Sequence, residues 1–490
     1  MNVSLSQFIA AAKPGYYVPV HQQFAVGRIS PVDIIEALNL TDDNLVLLES
    51  GKGDASLAQN TFIAYAPRYV FCSKDNRVTV NKELIPGVNP YQYLEQMIGA
   101  RPAVQITGAP EFYGGAVGYV SYDMARVFER LPDLSHDDLQ VPDLYFLFCE
   151  RVIAIDNKTG LVQGVVNVPI DGSEDLTELY ANAIRELAET EALLGKVQPQ
   201  AEIPVQALAL EHLFQPEVNI TKAEFEAMVL RAKDYIMAGD VFQVNLSLRL
   251  AKKLSVQPWE VYKVLRRINP SPYGCFINFG DIQVVGSSPE LLVRNKAGLA
   301  ETRPIAGTRR RGKDQQEDKK LAHELIANAK ERAEHIMLVD LERNDLGRVC
   351  EYGTVQVNEL MVIEAYSHVM HIVSNVQGKL AKEMSNFDLL KACFPGGTIT
   401  GAPKVRCMEI IEELEPTRRG IYTGSVGYFG FGGEMEMNIC IRTLLIKDKQ
   451  AYVQAGAGIV ADSVPEREYY ESLKKAEALL RAMELAERGN

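Results

Sequence analysis

The stretch SVGYFGFGGEMEMNICIRTLLIKDKQAYVQAGAGIV, residues 425–460, alternates apolar positions with polar or small ones over most of its length. A period of two is typical of strands that bury one face. Turn residues interrupt the alternation at Gly432-Gly433 and at Asp448-Lys449. This spacing predicts adjacent antiparallel strands joined by short turns.

The chain around this stretch mixes helices and strands without a regular βαβ alternation. Apolar spacing predicts a helix over 223–240, a strand over 241–254 and paired strands within 274–304. It also predicts one long helical stretch from about Asp318 to Leu346. A last helix is expected over 465–487, where proline occupies a favoured first-turn position. The pattern indicates an α+β fold with much antiparallel sheet.

The length of the chain, 490 residues, predicts two domains or one unusually large one. Residues 194–221 mix Pro and Gln with short apolar pieces and lack a sustained period, which is typical of a connecting segment. We therefore expect an N-terminal domain over 1–193 and a C-terminal domain over 222–490.

The composition argues against several classes of protein. A net charge of -13 without a Lys/Arg stripe disfavours binding to nucleic acid or to an anionic membrane. No apolar run approaches the ~20 residues of a membrane span. The seven cysteines are scattered and never in C-x-x-C spacing, so we expect free thiols and a cytoplasmic location.

Two acidic pairs have the spacing of a shared helix face. Glu331 and Glu334 are three residues apart, as are Glu468 and Glu471. Two such faces brought together would offer oxygen ligands to Mg²⁺. The same spacing is common on solvated helices, and with His335 the first pair also fits a di-iron fragment.

Other residues have two interpretations each. The loop 394–404, FPGGTITGAPK, fits an anion cradle or a tight turn capped by Thr400. His371, in an apolar strand-like segment, fits a core residue or a general acid or base. Arg442, also among apolar residues, requires a carboxylate partner, either structural or from a substrate. Residues 456–461 match G-x-G-x-x-A, but no βαβ unit follows, so a dinucleotide site is not expected.

Several blocks in one order resemble the chorismate-utilising synthases: GGAVGYVSYD, PIAGTRRRG, ERAEHIMLVDLERNDLGR, YSHVMHIVS, FPGGTITGAPKVR, GSVGYFGF, IRTL and QAGAGIVADSVPEREYYES. That family comprises anthranilate synthase component I, aminodeoxychorismate synthase component I, and the isochorismate and salicylate synthases. The resemblance runs from about residue 47 to about 485 and is dense from 222 onward. It implies large antiparallel sheets packed together and flanked by helices, and a chorismate-binding catalytic role for residues 222–490.

The resemblance also implies roles for individual residues. The Mg²⁺ ligands, some acting through water, are Glu331, Glu334, Glu468 and Glu471. The catalytic set is His371, Thr308 and Lys475, in which His371 matches the base that takes a ring proton when pyruvate is eliminated. The substrate-binding set, around the ring and its two carboxylates, is Gly307, Thr398, Tyr422, Arg442 and Gly458. The family's ammonia comes from a glutamine amidotransferase, and this chain has no G-x-C-x-G elbow of its own, so a separate partner subunit is implied.

Within the family, different residues of this chain favour different products. Asn245 and the Pro-Gly-Gly-Thr block at 395–398 favour aminodeoxychorismate synthase, whereas Ala306 is typical of anthranilate synthase. Elements matching a tryptophan feedback pocket also favour the latter: Leu48, Glu49, Ser50, Asn269, Pro270, Ser271 and Tyr273. We expect aminodeoxychorismate synthase, with anthranilate synthase as the alternative. A non-catalytic paralogue that binds a chorismate-like ligand is the third.

Overall fold

The fold consists of two large antiparallel sheets flanked by helices. The computed structural model describes residues 3–42, 44–51, 60–198, 216–365 and 369–489. The helices are α1 Leu5–Ala11, α2 Pro31–Ala37, α3 Pro90–Gly99, α4 Ala125–Phe128, α5 Leu176–Leu194, α6 Lys222–Ala238, α7 Pro258–Ile268, α8 Gln315–Ala327, α9 Ala329–Gly347, α10 Asn386–Cys393, α11 Gly397–Thr400, α12 Lys404–Leu414 and α13 Pro465–Glu487, with a 3-10 turn at Tyr122–Met124.

The strands belong to both halves of the chain. They are β1 Tyr16–Gln23, β2 Leu45–Glu49, β3 Asn60–Tyr65, β4 Tyr69–Lys74, β5 Arg77–Val80, β6 Glu83–Ile85, β7 Gly115–Val120, β8 Leu144–Cys149, β9 Arg151–Asp156, β10 Val162–Ile170, β11 Glu217–Val218, β12 Gln243–Lys253, β13 Tyr273–Asn278, β14 Ile282–Ser288, β15 Leu291–Lys296, β16 Leu299–Thr302, β17 Ile305–Arg310, β18 Gln356–Ala365, β19 Val369–Lys379, β20 Gly401–Ala402, β21 Ser425–Gly430, β22 Met435–Ile439, β23 Thr443–Lys447 and β24 Gln450–Ile459.

The order of strands shows how the two halves meet. The first sheet runs β1-β10-β9-β3-β2-β13-β14-β23-β24-β12-β11, with β20 beside β12. The second runs β17-β19-β16-β15-β22-β21-β7-β8-β4-β5-β6, with β18 beside β19. Among the described strands, the early ones form one contiguous block in each sheet, joined to the later ones by β2–β13 and β7–β21. The predicted domains over 1–193 and 222–490 therefore share both sheets, and much of the predicted connecting segment lies outside the described residues.

The two sheets pack face to face over a common apolar layer. The ring of Phe62 from the first sheet meets Tyr428 from the second edge-on, at 6.2 Å between ring centroids. Tyr119 from the second sheet likewise meets Phe279, which follows β13, at 5.6 Å. Helix α13 covers the opposite face of the first sheet, where it packs on β24 and beside α6 and α7. This layering confirms the predicted antiparallel α+β architecture.

Local predictions hold with one exception. The hairpin turn at Asp448-Lys449 has φ values of 52° and 62°, and the last helix spans 465–487 as expected. The long helical stretch is instead divided at Asn328, whose side chain accepts hydrogen bonds from the backbone N–H groups of Lys330 and Glu331 at 3.0 and 3.1 Å. An asparagine that caps a helix in this way starts a new one, and it places Glu331 in the first turn of α9. Within the described ranges, none of the helices is both long and apolar enough to span a membrane.

Gly118 and Gly427 face each other where β7 pairs with β21. A Cβ atom added to Gly118 would lie 1.9 Å from the carbonyl oxygen of Tyr145, and one added to Gly427 would lie 2.0 Å from that of Glu436. Because backbone atoms cannot move aside without disturbing the ladder, the pairing requires glycine at these positions.

We predict that Gly118→Ala lowers the free energy of unfolding by at least about 1–3 kcal/mol, the usual cost of overpacking a buried site. Gly99→Ala is the control, because a Cβ at Gly99, the last residue of α3, has open space around it. Urea unfolding midpoints measure both variants. Equal midpoints for the two would contradict the packing argument.

Candidate active site

The residues singled out from the sequence lie at the ends of several elements. Strand β17 carries Gly307 and Thr308, β19 carries His371, and β24 carries Gly458. The remaining ones lie on α9, α11 and α13 and in the segments that precede β21 and β23.

His371 is held by the strand beside it. Its Nδ1 lies 3.0 Å from the carbonyl oxygen of Gly307 and 3.1 Å from Oγ1 of Thr308. Because a carbonyl can only accept, a proton on Nδ1 satisfies the bond to Gly307 and places the basic lone pair on Nε2. Burial, together with the positive charges of Arg442 and Lys475, lowers the pKa of His371 to about 4, although the hydrogen bond to Gly307 acts in the opposite direction. The imidazole is therefore neutral at physiological pH and able to accept a proton.

Arg442 and Lys475 form a cationic pair near His371. The Arg442 guanidinium donates through Nη1 to the carbonyl oxygen of Lys475 at 2.8 Å. Lys475 Nζ donates to the carbonyl of Gly456 at 2.9 Å and lies 2.9 Å from Glu471. Burial lowers the pKa of Arg442, although Tyr422 and Glu471 act in the opposite direction. A carboxylate reaching this place would meet two cations.

The four glutamates of the predicted metal site sit on two helices, α9 and α13, and all four interact with cationic side chains. Glu331 lies 3.1 Å from Arg309. Burial raises the pKa of both Glu334 and Glu468. In each case the helical neighbour raises the pKa further, and Lys330 and Lys475 lower it. The two acidic pairs therefore share two lysines.

Oxygen donors of this kind suit Mg²⁺. Gly307 leaves room for one of them, because a Cβ there would lie 2.9 Å from Oε2 of Glu331. Gln243 Nε2 donates to Glu334 at 2.9 Å. In the part of the chain that the structure describes, however, no three His, Cys, Asp or Glu side chains are grouped closely enough to hold an ion. The magnesium ligand set stays a prediction. The carboxylate oxygens suit Mg²⁺ chemically, but the four side chains lie too far apart in this structure to hold one ion together.

Glu290, a buried carboxyl beside the predicted substrate loop, was not among the residues singled out from the sequence. Its side chain is 5% exposed, and burial raises its pKa to about 8, with Glu342 adding to the shift. The Thr398 hydroxyl beside it and the positive charge of Lys475 act in the opposite direction. Its one sequence signal is an acidic residue between Ser-Ser-Pro and an apolar strand, a place where a charge is costly. At neutral pH this carboxyl is mainly protonated.

The loop 394–404 forms a short helix followed by a bridge to β12. Thr400 donates to the carbonyl of Gly396 at 2.8 Å, so its hydroxyl closes the loop internally and does not cap α12. Thr398 Oγ1 is buried, and the carboxyl beside it is that of Glu290, whose pKa the threonine hydroxyl lowers.

A small cavity coincides with part of the predicted tryptophan pocket. Its volume is about 30 Å³, it is partly open to solvent, and Leu48, Glu49, Ser50 and Tyr273 are among its lining residues. The Glu49 carboxylate is already bound by Arg266 at 2.7 Å and by the hydroxyl of Tyr262 at 2.7 Å. The predicted members Asn269, Pro270 and Ser271 lie outside this lining. Ser271 instead accepts a hydrogen bond from the backbone of Gly51 at 2.8 Å.

Comparison with known proteins gives consistent results. The family model for chorismate binding enzyme matches residues 44–481. Aminodeoxychorismate synthase component 1 of Bacillus subtilis is 52% identical over 379 residues, covering 77% of this chain and 78% of the relative. Anthranilate synthase component 1 of Aquifex aeolicus is 42% identical over 494 residues, covering 99% of each.

A solved structure supports the same relationship. Anthranilate synthase component I of Streptococcus pneumoniae superposes with a TM-score of 0.75 at 36% identity, covering 86% of this chain and 92% of that one. The fold implied by the sequence resemblance is therefore confirmed.

Glu290 gives a pH-dependent stability. Its pKa rises from 4.5 to about 8 on folding, so between these values the folded state keeps a proton that the unfolded state releases. Stability is therefore lost as pH rises through this window. We predict that the free energy of unfolding of Glu290→Gln minus that of the native chain is larger at pH 8.5 than at pH 5, by about 2–5 kcal/mol.

Urea unfolding at the two pH values measures this difference. Glu324→Gln is the control, since that side chain is 52% exposed on α8. If the difference in free energy of unfolding between Glu290→Gln and the native chain does not change with pH, Glu290 is ionised in the folded state.

Proposed function

The chain belongs to the family of chorismate-binding enzymes, and we propose that it is component 1 of an aminodeoxychorismate synthase. In this proposal it aminates chorismate with ammonia and yields 4-amino-4-deoxychorismate. The coarser statement, that the chain is a chorismate-utilising synthase of the aminating type, follows from its relatives.

The observation that carries the proposal is a buried, protonated acid that is subject to the positive charge of Lys475, to whose carbonyl oxygen Arg442 donates a hydrogen bond. Glu290 supplies the acid, and Arg442 and Lys475 supply the positive charges. Chorismate has two carboxylates and a hydroxyl that must leave with a proton. A cationic pair suits a carboxylate, and a carboxyl with a pKa of about 8 can donate a proton at neutral pH.

The chemistry then needs no covalent intermediate with the protein. Ala306 is buried and has no nucleophile, so the nitrogen lone pair of ammonia must attack the ring directly. A C–N bond forms as the C–O bond to the hydroxyl breaks, and the proton from Glu290 lets the oxygen leave as water. Transfer of a proton from the new ammonium group leaves the neutral amine and restores the acid.

Magnesium belongs to the proposal as well. Glu331, Glu334, Glu468 and Glu471 would hold it, and when bound it would polarise the ring through a substrate carboxylate. Arg309 and Lys475, which now lie beside Glu331 and Glu471, would have to release these carboxylates. The ammonia source we propose is a separate glutamine amidotransferase subunit, as the designation component 1 of the relatives suggests.

The choice of product rests on two further observations. Identity to the aminodeoxychorismate synthase, at 52%, exceeds the 42% to the anthranilate synthase, although over a shorter span. Asn245 and the Pro-Gly-Gly-Thr block favour the same product. Anthranilate synthase remains the second candidate, favoured by Ala306 and by the cavity around Leu48, Glu49 and Ser50.

Incubation of the purified chain with chorismate, Mg²⁺ and ammonium at high pH decides between them. We expect a product that retains the enolpyruvyl group and gives 4-aminobenzoate only after a lyase is added. Anthranilate with free pyruvate would assign the chain to tryptophan synthesis. Absence of magnesium-dependent turnover would favour the non-catalytic paralogue.

His371 gives an independent test of the product. Its proton-accepting role is needed only where pyruvate is eliminated, so we predict that His371→Ala forms the same product as the native chain. In an anthranilate synthase the variant would instead accumulate an aminated compound that still has its enolpyruvyl group. The pyruvate released per chorismate consumed, measured for both proteins, distinguishes these outcomes without comparing their rates.

A further inference from the structure

Arg419 lies at the centre of a buried hydrogen-bond network behind the predicted substrate site. Its side chain is 1% exposed, and that of its partner Glu415 is 4% exposed. Nε and Nη2 of Arg419 donate to the two carboxylate oxygens of Glu415 at 3.0 and 2.7 Å, a two-pronged contact. Glu415 Oε1 also accepts from the backbone N–H and the hydroxyl of Ser247, both at 2.8 Å. The ion pair of Arg419 and Glu415 thus has no net charge, and hydrogen bonds to Ser247 fix its carboxylate.

The remaining donors of Arg419 reach three different elements. Nη2 donates to the carbonyl of Asn245 on β12 at 2.8 Å. Nη1 donates to the carbonyl of Ile399 on α11 at 3.1 Å and to Oγ1 of Thr423 at 3.2 Å. A guanidinium has five N–H groups, and these contacts use all of them.

Each of these acceptors adjoins a residue predicted to touch chorismate. Ile399 follows Thr398, and Asn245 pairs with Gly458 across the β12–β24 ladder. Thr423 has a φ of 60° and donates from its hydroxyl to the carbonyl of Tyr422 at 2.6 Å. Thr398, Gly458 and Tyr422 lie on separate parts of the chain, and Arg419 is bonded next to all three.

Aromatic rings hold the guanidinium as well. Its carbon lies 4.9 Å from the ring centroid of Tyr122 and 5.5 Å from that of Tyr422. Cation–π contacts of this kind favour arginine over lysine, because the flat guanidinium can stack while its edge stays hydrogen-bonded. The ring of Tyr422 is therefore located by the same group that locates its backbone.

We infer that Arg419 is a positioning residue that sets the Thr398 loop and Tyr422 relative to β12 and β24. It has no donor left for a substrate, so its effect is exerted through the residues it holds. The inference rests on the proposed function, because it takes these neighbours as the chorismate-binding surface. Lysine retains the charge but cannot reproduce five bonds in one plane.

The test compares Arg419→Lys with Arg126→Lys. Arg126 is the matched control, because it also pairs with a buried glutamate, Glu412, and its described contacts, with Asp123, Pro132, Asp133 and Glu412, include none of the predicted substrate residues. We expect Arg419→Lys to lower kcat/KM for chorismate about 100-fold and to raise its Kd at least tenfold. Arg126→Lys should stay within about threefold on both measures.

Hydrogen exchange provides a readout that does not depend on turnover. In Arg419→Lys, the amides of residues 396–401 and 420–424 should exchange faster, while the rest of the chain keeps its native rates. Uniformly faster exchange, or unchanged kcat/KM and Kd, would overturn the inference. If Arg419→Lys does not fold, Thr423→Val removes one of the five bonds without exposing a buried charge, and the same local exchange with a five- to tenfold loss in kcat/KM is expected.

The two proposals fail in different ways. A native chain that does not aminate chorismate refutes the proposed function, and the exchange measurement then still decides whether Arg419 holds both segments. A native chain that aminates chorismate, together with an Arg419→Lys variant of native kinetics, refutes only the role of Arg419.

Discussion

Each of the two sheets joins strands from the early part of the chain to strands from the late part through a single strand pairing, which we call a seam. In the first sheet β2 pairs with β13, and in the second β7 pairs with β21. Without its partner, β2 or β7 would be an open edge with a row of unpaired N–H and C=O groups. The apolar layer between the sheets also takes side chains from both parts, as the contact of Phe62 with Tyr428 shows. The whole fold therefore depends on backbone pairing over a long sequence separation.

The site depends on the same seams. Strands β12 and β24 lie on the late side of the first sheet, and β17 and β19 lie at one end of the second. Helices connect to these strands through hydrogen bonds, such as that of Gln243 on β12 with Glu334 on α9 and that of Gly456 on β24 with Lys475 on α13. The protonation states of the site residues are set before a substrate binds. His371 is neutral, Glu290 is mainly protonated, and each acidic pair has a lysine nearby. A substrate with two carboxylates would enter a site that is already electrostatically biased towards it.

Local patterns and the resemblance were sufficient for the architecture but not for every contact. The alternation in 425–460 and the proline at 465 predicted hairpins and a helix, because these features depend on neighbours in sequence. The break at Asn328 was missed, since an asparagine within a helical pattern is read as polar surface until its cap is seen. Glu290 and Arg419 were missed for another reason. Their importance comes from burial and from contacts with distant parts of the chain, such as Lys475 for Glu290 and Asn245 for Arg419, although the pair of Arg419 with Glu415 is itself local.

The positions of the seams also have a consequence during synthesis on the ribosome. Strand β7 ends near residue 120 and waits for β21, which begins roughly 300 residues later. At translation rates of about 5–20 residues per second, this edge emerges about 15–60 s before its partner exists. The strand edge of β7 is therefore without its partner for much of the time that the ribosome needs to make the chain.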